Sequence, residues 1–321
     1  MRILVATLLA ALCAAGPVAA QPWPSKPVRI VVPYPAGGSG DIVARLVAQK
    51  MSEGFGQQFV VDNRAGANGN IGTDVVAKST PDGYTLLVAT DIQFAISPAL
   101  GAKLPFDPGR DFNAVSLIAF VDLVLAAHPS LPANNVQELV ALAKSRPGTI
   151  NYASTGPGST HHLSIELLKL RGGINLVHVP YKGAGQALPD LISGQVQLMQ
   201  LGIPQTLPHL KSGRVKALGV GSARRLAVLP DVPTVAEQGF PGYEANNSWC
   251  LYAPAGTPKD VIARLHAEVV RIVTLADVRE RFAASGLEPV GSTPEQLNAR
   301  MREDRARWEK LIREAGIRVE Q

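Results

Sequence analysis

The order strand, glycine-rich loop, helix opens two similar halves of this 321-residue sequence. In the first half, the β-rich apolar residues 28–34 lead through residues 35–40 into a helical pattern that ends near Gly54. In the second half, residues 150–154 lead through residues 155–160 into another helical pattern. Strands that are separated by helical crossovers pair in parallel, and helices cover both faces of their sheet. The sequence therefore predicts an α/β fold.

The restart of this order near residue 150 indicates two lobes. A single sheet of about ten strands is the alternative. We expect each lobe to be a mostly parallel sheet flanked by helices, with a ligand cleft between the lobes. In open parallel sheets, ligands bind beyond the carboxyl ends of the strands, which is where the glycine-rich loops lie.

The chain is expected to cross between the lobes twice. The first crossing lies near Val121 and Asp122, inside a long apolar run, and the second lies between residues 221 and 248. The last helix begins at Thr293 with a capping box, and its many charges predict a surface position. The predicted boundaries are residues 21–121 with about 245–321 for lobe I, and residues 122–244 for lobe II.

The first twenty residues are typical of a secretory signal peptide. Arg2 supplies a positive charge, residues 3–15 are an apolar run too short to span a bilayer, and residues 18–20 are small. An uncleaved anchor is the alternative. After cleavage the single cysteine is Cys250, which cannot form an internal disulfide and is expected to be buried. No other run of eighteen apolar residues exists, so we expect a soluble exported protein.

Composition and motifs argue against several function classes. Lys and Arg number 31 against 26 Asp and Glu, a net charge of +5 without an arginine-rich run, so nucleic acid is not an expected partner. The glycine-rich loops do not fit nucleophile-elbow, P-loop or dinucleotide spacings. His162 and Glu166 are one helical turn apart, but a third metal ligand is not evident, so His162 is expected to cap or rim a pocket. We expect neither a metal nor a cofactor.

The loops at residues 36–40 and 154–160 are both small, hydroxyl-bearing and placed before helices. Free backbone N–H groups and the positive end of a helix attract anions, and glycine lets a ligand approach the backbone. Each loop alone is explained by an ordinary helix cap. Together they predict one anion held between two facing helix starts.

Eight short segments give the chain a resemblance to a known family. They are residues 23–33 (WPSKPVRIVVP), 35–41 (PAGGSGD), 63–69 (NRAGANG), 81–87 (PDGYTLL), 161–163 (HHL), 179–183 (VPYKG), 230–237 (PDVPTVAE) and 253–258 (APAGTP). The chain resembles the substrate-binding proteins of the tripartite tricarboxylate transporter family, the Bug receptors. The segments extend over nearly the whole mature chain in family order.

The resemblance implies a periplasmic receptor without catalytic activity, with the two-lobed fold of type II periplasmic binding proteins. Its lobes would close on a small organic carboxylate (a di- or tricarboxylate, an amino acid or an aromatic acid) and deliver it to an inner-membrane permease. In this family backbone N–H groups, hydroxyls and bridging water hold the carboxylate. The resemblance implies that one wall of the site consists of Tyr34, Ala36, Gly37, Gly38 and Ser39. The other wall would consist of Ser154, Thr155, Gly158, Ser159 and Thr160, and the sides would be formed by Gly183, Ala184 and Gly202.

Two positions depart from the family pattern. Gln197 stands where the family often has an acidic residue. Asp91 follows the predicted strand 84–89, where a small or uncharged residue is expected. If Asp91 faces the cleft, it would pair with the ammonium group of an amino acid; otherwise it caps a turn outside the pocket.

Two other functions stay open from the sequence. A ligand sensor would present its closed form to a membrane signalling partner, such as a sensor kinase, and would use the same pocket. An exported serine hydrolase would need Ser39 or Ser159 beside His162.

Overall fold

The computed structural model describes residues 23–315, so the predicted signal peptide (residues 1–20) lies outside the described residues. The strands are β1 Val28–Val32, β2 Phe59–Asn63, β3 Thr85–Ala89, β4 Phe112–Ala127, β5 Asn151–Ser154, β6 Val177–Pro180, β7 Leu198–Gly202, β8 Lys216–Val220, β9 Asn246–Pro254 and β10 Leu287–Pro289. The helices are α1 Ser39–Phe55, α2 Asn70–Ala77, α3 Val136–Ser145, α4 Thr160–Gly172, α5 Ala184–Ser193, α6 Ile203–Lys211, α7 Lys259–Thr274, α8 Ala276–Ala284 and α9 Pro294–Ala315. A short helical turn, Ile92–Ile96, follows β3. Across this part of the chain, the helices are too short or too polar to span a bilayer.

The first sheet contains β2, β1, β3, β9 and the beginning of β4, in that order. β1 pairs in parallel with β2 and β3, whereas β9 runs antiparallel to both β3 and β4. Buried side chains lie on both faces, with Val47 of α1 and Leu265 of α7 in one layer and Phe94 and Tyr252 in the other. This sheet and its helices form the first lobe.

The second sheet repeats this arrangement with the end of β4, followed by β7, β5 and β6. β5 pairs in parallel with β6 and β7, and the end of β4 runs antiparallel to β7 and β8. Its two core layers include Tyr152 and Leu168 on one face, and Leu191 and Leu207 on the other. The fold is the predicted two-lobed α/β arrangement. Each sheet is mixed, because the strands that cross between the lobes pair antiparallel with their neighbours.

The two sheets are joined through β4. Asp122 pairs with Asn246 of β9, and the next residue, Leu123, pairs with Gly202 of β7. Leu123 also receives a backbone hydrogen bond from Gly221 at 2.7 Å and donates one to Ala245 at 3.1 Å. The two connections between the lobes therefore run side by side.

Helix α9 begins as predicted but does not lie wholly on the surface. Thr293 N donates to Gln296 Oε1 at 2.9 Å, and Gln296 N donates to Thr293 Oγ1 at 3.2 Å, which is the predicted capping box. Leu297, Met301 and Trp308 are buried along one face of the helix. The many charged residues of α9 predict a surface helix, but three apolar residues on one face form a narrow stripe that packs on β4 and on the turn after β3.

Candidate functional site

A cavity with about 380 Å³ of empty space, its mouth included, lies between the lobes. The first lobe lines it with Tyr34, Pro35, Gly38, Ser39, Gly40, Thr90 and Ile92. The second lobe contributes Thr155, His161, Ala184 and Gln205, and the crossing strand β9 contributes Asn247 and Trp249. Tyr34, Gly38, Ser39, Thr155 and Ala184 were predicted for the ligand site. Arg, Lys, Asp and Glu are absent from this lining.

The first wall is the start of α1. Gly38 precedes the helix and supplies no side-chain cap, so the first N–H groups of α1 have no partner in the helix itself. A Cβ on Gly40 would lie 2.1 Å from Cη2 of Trp249, so only glycine lets the indole pack against this helix start. The glycine at residue 40, which is part of the predicted anion loop, therefore also allows Trp249 to lie beside the start of α1.

Gly37 and Ala36 lie next to the cavity but do not line it. The Gly37 amide donates to Asp41 Oδ2 at 3.1 Å, and Arg45 donates to the same carboxylate oxygen at 3.0 Å. Burial works against ionisation, but these bonds hold the pKa of Asp41 below its ordinary value. The amide of Gly37 is thus engaged within the loop in this structure, and its role as a ligand donor stays a prediction.

The opposing wall combines Thr155 and His161, at and before the start of α4, with Ala184 at the start of α5 and Gln205 at the start of α6. Gly183 and Gly202 precede α5 and α6 without a side-chain cap. A Cβ on Gly183 would lie 2.4 Å from Pro35 Cδ, and one on Gly202 would lie 2.3 Å from Ser39 Oγ. Glycine at both positions lets the second lobe approach the start of α1 closely. Three uncapped helix starts therefore converge on the cavity, one from the first lobe and two from the second.

Ser39 and Gln205 form a direct polar contact between the lobes. Ser39 Oγ lies 2.7 Å from the side-chain amide of Gln205. The amide orientation that satisfies all neighbouring groups places Gln205 Nε2 towards Ser39 Oγ, and Gln205 Oε1 3.3 Å from the Gly202 amide. In that orientation Ser39 accepts the bond, and its own O–H is available to donate into the cavity.

The loop before α4 contributes less than predicted, because its polar groups bond to one another. Ser154 Oγ lies 2.6 Å from His178 Nε2, and Ser159 Oγ donates to the Gly156 carbonyl at 2.7 Å. The Gly158 amide donates to Nδ1 of His162 at 3.1 Å. Ser154, Gly158 and Ser159 are engaged in these bonds and are not among the residues that line the cavity. Thr155 does line it, and its hydroxyl is buried without a partner among the described residues.

His162 and Thr160 are also not among the residues that line the cavity. The His162 ring stacks on His178 with centroids 4.1 Å apart, and its Nε2 is 3.9 Å from Glu166 Oε1. Burial and then the neighbouring His178 lower the pKa of His162 to about 4. In the described part of the chain, no three His, Cys, Asp or Glu side chains gather into a metal site. His162 thus holds the loop before α4 in place.

His161, the adjacent residue, lines the cavity instead. Its Nδ1 lies 2.7 Å from the backbone carbonyl of Gln200 in β7. Burial lowers the pKa of His161 to about 4, although the Gln200 carbonyl favours protonation. The two adjacent histidines mark this turn of α4 in the sequence, but adjacent residues on a helix point about 100° apart, and the sequence pattern does not show which one faces the cleft.

Asp91 turns away from the cavity, although Thr90 and Ile92 on either side of it line the wall. Burial and the neighbouring Asp304 of α9 raise the pKa of Asp91 to about 7, whereas Arg307 opposes the shift. Asp91 is 2% exposed and is not among the residues that line the cavity. Asp91 is therefore not placed to bind an ammonium group there.

Comparison with known proteins relates the chain to one family. The sequence model of the tripartite tricarboxylate transporter family receptor matches residues 43–317. Protein BugT of Bordetella pertussis is 37% identical over 306 residues, which cover 95% of this chain and 94% of BugT.

Solved structures agree with this match. Rpa4515 of R. palustris with adipate has a TM-score of 0.90 at 38% identity, covering 92% of this chain and 99% of that one. MatC of Rhodopseudomonas palustris with bound malate has a TM-score of 0.85 at 34% identity, covering 90% of this chain and 100% of MatC. The fold, the cleft between lobes and these similarities show that the chain belongs to the receptors of the tripartite tricarboxylate transporter family.

Proposed function

We propose that this chain is a periplasmic receptor that binds a small organic carboxylate in the cavity between its lobes and delivers it to an inner-membrane permease. The observation that carries the proposal is the convergence of the uncapped starts of α1, α5 and α6 on one cavity. Each helix start carries about half a positive charge and presents free N–H groups, fewer in α6 because its second residue, Pro204, has none, and this suits a carboxylate.

The absence of charged side chains from the lining indicates how the anion is held. A negative charge at a helix start is stabilised by about 0.3–1 kcal/mol at an exposed site, and by up to about 2 kcal/mol when partly buried. Charge-assisted hydrogen bonds from the hydroxyl groups of Ser39 and Thr155 add to this. Dipoles and hydroxyls from both lobes therefore replace an arginine or lysine, so full affinity requires the lobes to be together.

The lobes are proposed to be residues 21–121 with about 245–321, and residues 122–244. The change of partners along β4 after Asp122, beside the start of β9, supports a hinge formed by these two adjacent antiparallel connections. Around the cavity, Ser39 meets Gln205, and Asn68 Nδ2 donates to the Pro157 carbonyl at 3.4 Å. Both contacts join opposite lobes and would be made on closure.

The relatives support a dicarboxylate as the ligand class, because Rpa4515 was solved with adipate and MatC with malate. An amino acid paired with Asp91 is disfavoured, because that residue does not line the cavity and its carboxyl group lies near Asp304 of α9. Catalysis is likewise not proposed. Ser39 bonds Gln205 and Ser159 bonds main-chain groups, so neither serine has the imidazole partner that a serine nucleophile needs.

Thermal unfolding of the mature chain (residues 21–321) with adipate, malate, citrate and aspartate tests the proposal. A ligand at one hundred times its dissociation constant is expected to add about 2.7 kcal/mol to the free energy of unfolding. Dimethyl adipate, which has the same chain without charge, is the matched control and is expected to add nothing. A diester that stabilises as well as its acid, or no stabilisation by any acid, would contradict the proposal.

Transport is tested separately in cells that lack the chain. Loss of uptake of the identified carboxylate is expected, because the permease would receive it from this receptor. Normal uptake with loss of a transcriptional response to that carboxylate would instead assign the chain to sensing.

A further inference from the structure

His161 presents an unused hydrogen-bond acceptor to the cavity. Its Nδ1 lies 2.7 Å from the carbonyl oxygen of Gln200, and because a carbonyl oxygen only accepts, Nδ1 must carry the hydrogen. Nε2 of the neutral ring is then a lone-pair acceptor. Within residues 23–315, no hydrogen bond to Nε2 is formed, and His161 belongs to the cavity lining.

The ring is held in this neutral form by its position. His161 is the second residue of α4, where the positive end of the helix disfavours a second positive charge. The side chain is 5% exposed, and burial lowers the pKa of His161 to about 4. A second unpartnered acceptor, Asn247 Oδ1, belongs to the same lining.

Three kinds of ligand group can be compared at this acceptor. A carboxylate oxygen would meet the lone pair of Nε2 and be repelled. An ammonium group would be buried in a cavity without an acidic side chain, which is costly. A hydroxyl group donates one hydrogen bond to Nε2 and carries no charge.

We propose that His161 determines ligand specificity, and that the cavity selects carboxylates bearing a hydroxyl group that donates to His161 Nε2. This inference rests on the proposed function, since it concerns the ligand of the same cavity. The carboxylate would lie at the helix starts, and the hydroxyl would point to α4.

Succinate, malate and aspartate test the inference, because they differ only in hydrogen, hydroxyl or ammonium at one carbon. Propionate, lactate and alanine form a shorter matched set. In at least one set the hydroxy acid is expected to bind roughly tenfold tighter than its two partners, the difference that a buried acceptor left unpaired would make. Equal binding of the three, or tighter binding of the unsubstituted or amino acid, overturns the inference but leaves the proposed function standing. No binding of any carboxylate overturns both.

Two variants test whether His161 is responsible for the preference for the hydroxy acid. His161→Asn keeps a donor for the Gln200 carbonyl but lacks an acceptor at the Nε2 position, and is expected to lose the preference for the hydroxy acid. His161→Gln places an amide oxygen near that position and is expected to retain most of it. A preference that persists in His161→Asn while that variant stays folded would overturn the role of His161.

Proton exchange during binding separates a hydrogen-bond acceptor from a protonated partner. Calorimetric titration of malate at pH 7 in two buffers of different ionisation enthalpy is expected to show no net proton uptake. Uptake approaching one proton per ligand would mean that His161 becomes charged to pair with a second carboxylate, which would overturn the inference.

Discussion

Gly183→Ala is expected to weaken ligand binding without destabilising the unliganded protein. A Cβ at residue 183 would lie 2.4 Å from Cδ and 2.8 Å from Cγ of Pro35, which belongs to the opposite lobe. The backbone of Gly183 is extended, with φ 170° and ψ 166°, so alanine adopts it without strain. The added methyl group therefore acts only where the two lobes meet.

The size of the effect follows from this overlap. Carbon atoms in contact lie about 3.5 Å apart, so Pro35 and residue 183 must separate by about 1 Å. Excess volume in a packed interior costs about 1–3 kcal/mol. Since closure and binding are coupled, the dissociation constant is expected to rise by about 5- to 150-fold.

Calorimetric titration with the most stabilising carboxylate measures this change, and thermal unfolding without ligand measures stability. Gly109→Ala is the matched control, since its Cβ would meet only Asp107 Oδ1, at an ordinary 3.5 Å, outside the cavity. Unchanged affinity in Gly183→Ala would show that the lobes do not meet at this position in the bound state. An equal loss of stability in the unliganded protein would also contradict the prediction, because the overlap would then exist without closure.

Three further predictions concern single side chains. Ser39→Ala removes a hydroxyl that contacts Gln205 and faces the cavity, and is expected to weaken carboxylate binding roughly tenfold in titration calorimetry, with equal affinity contradicting its role. Asp91→Asn is expected to leave ligand preference unchanged, because the residue is buried against Asp304. Since burial raises the pKa of Asp91 to about 7, its contribution to stability is present below about pH 4 and is lost as the pH rises to 7. Urea unfolding at pH 5 and pH 8 should therefore show a smaller decrease in the free energy of unfolding with pH in Asp91→Asn than in the unsubstituted chain. Cys250 is 0% exposed and burial raises the pKa of its thiol, so labelling by a thiol reagent is expected only at the rate of unfolding; rapid labelling of the folded protein would contradict its buried position.

The sequence predicted the elements that depend on local chemistry. The capping box at Thr293 and the helix that follows Gly38 are read from neighbouring residues, and both are present. The position of Cys250 in a buried strand follows from its apolar neighbours in the same way. Two lobes could be predicted because the same local order occurs twice along the chain.

Features that depend on distant contacts could not be predicted in this way. The loop before α4 has the composition of an anion site, but His162 and His178 occupy its polar groups. Asn247 and Trp249 reach the cavity because β9 crosses between the lobes, which no local pattern indicates. The orientation of Asp91 depends likewise on α9, more than two hundred residues away in the chain.

A crystal structure of the mature chain with the carboxylate that stabilises it most would show whether helix starts from both lobes hold the anion. The carboxylate oxygens are expected about 2.7–3.1 Å from backbone nitrogens at the start of α1 and at the start of α5 or α6, with the lobes in contact around them. A carboxylate paired with an arginine or lysine side chain, or bound outside the cleft, would contradict this arrangement.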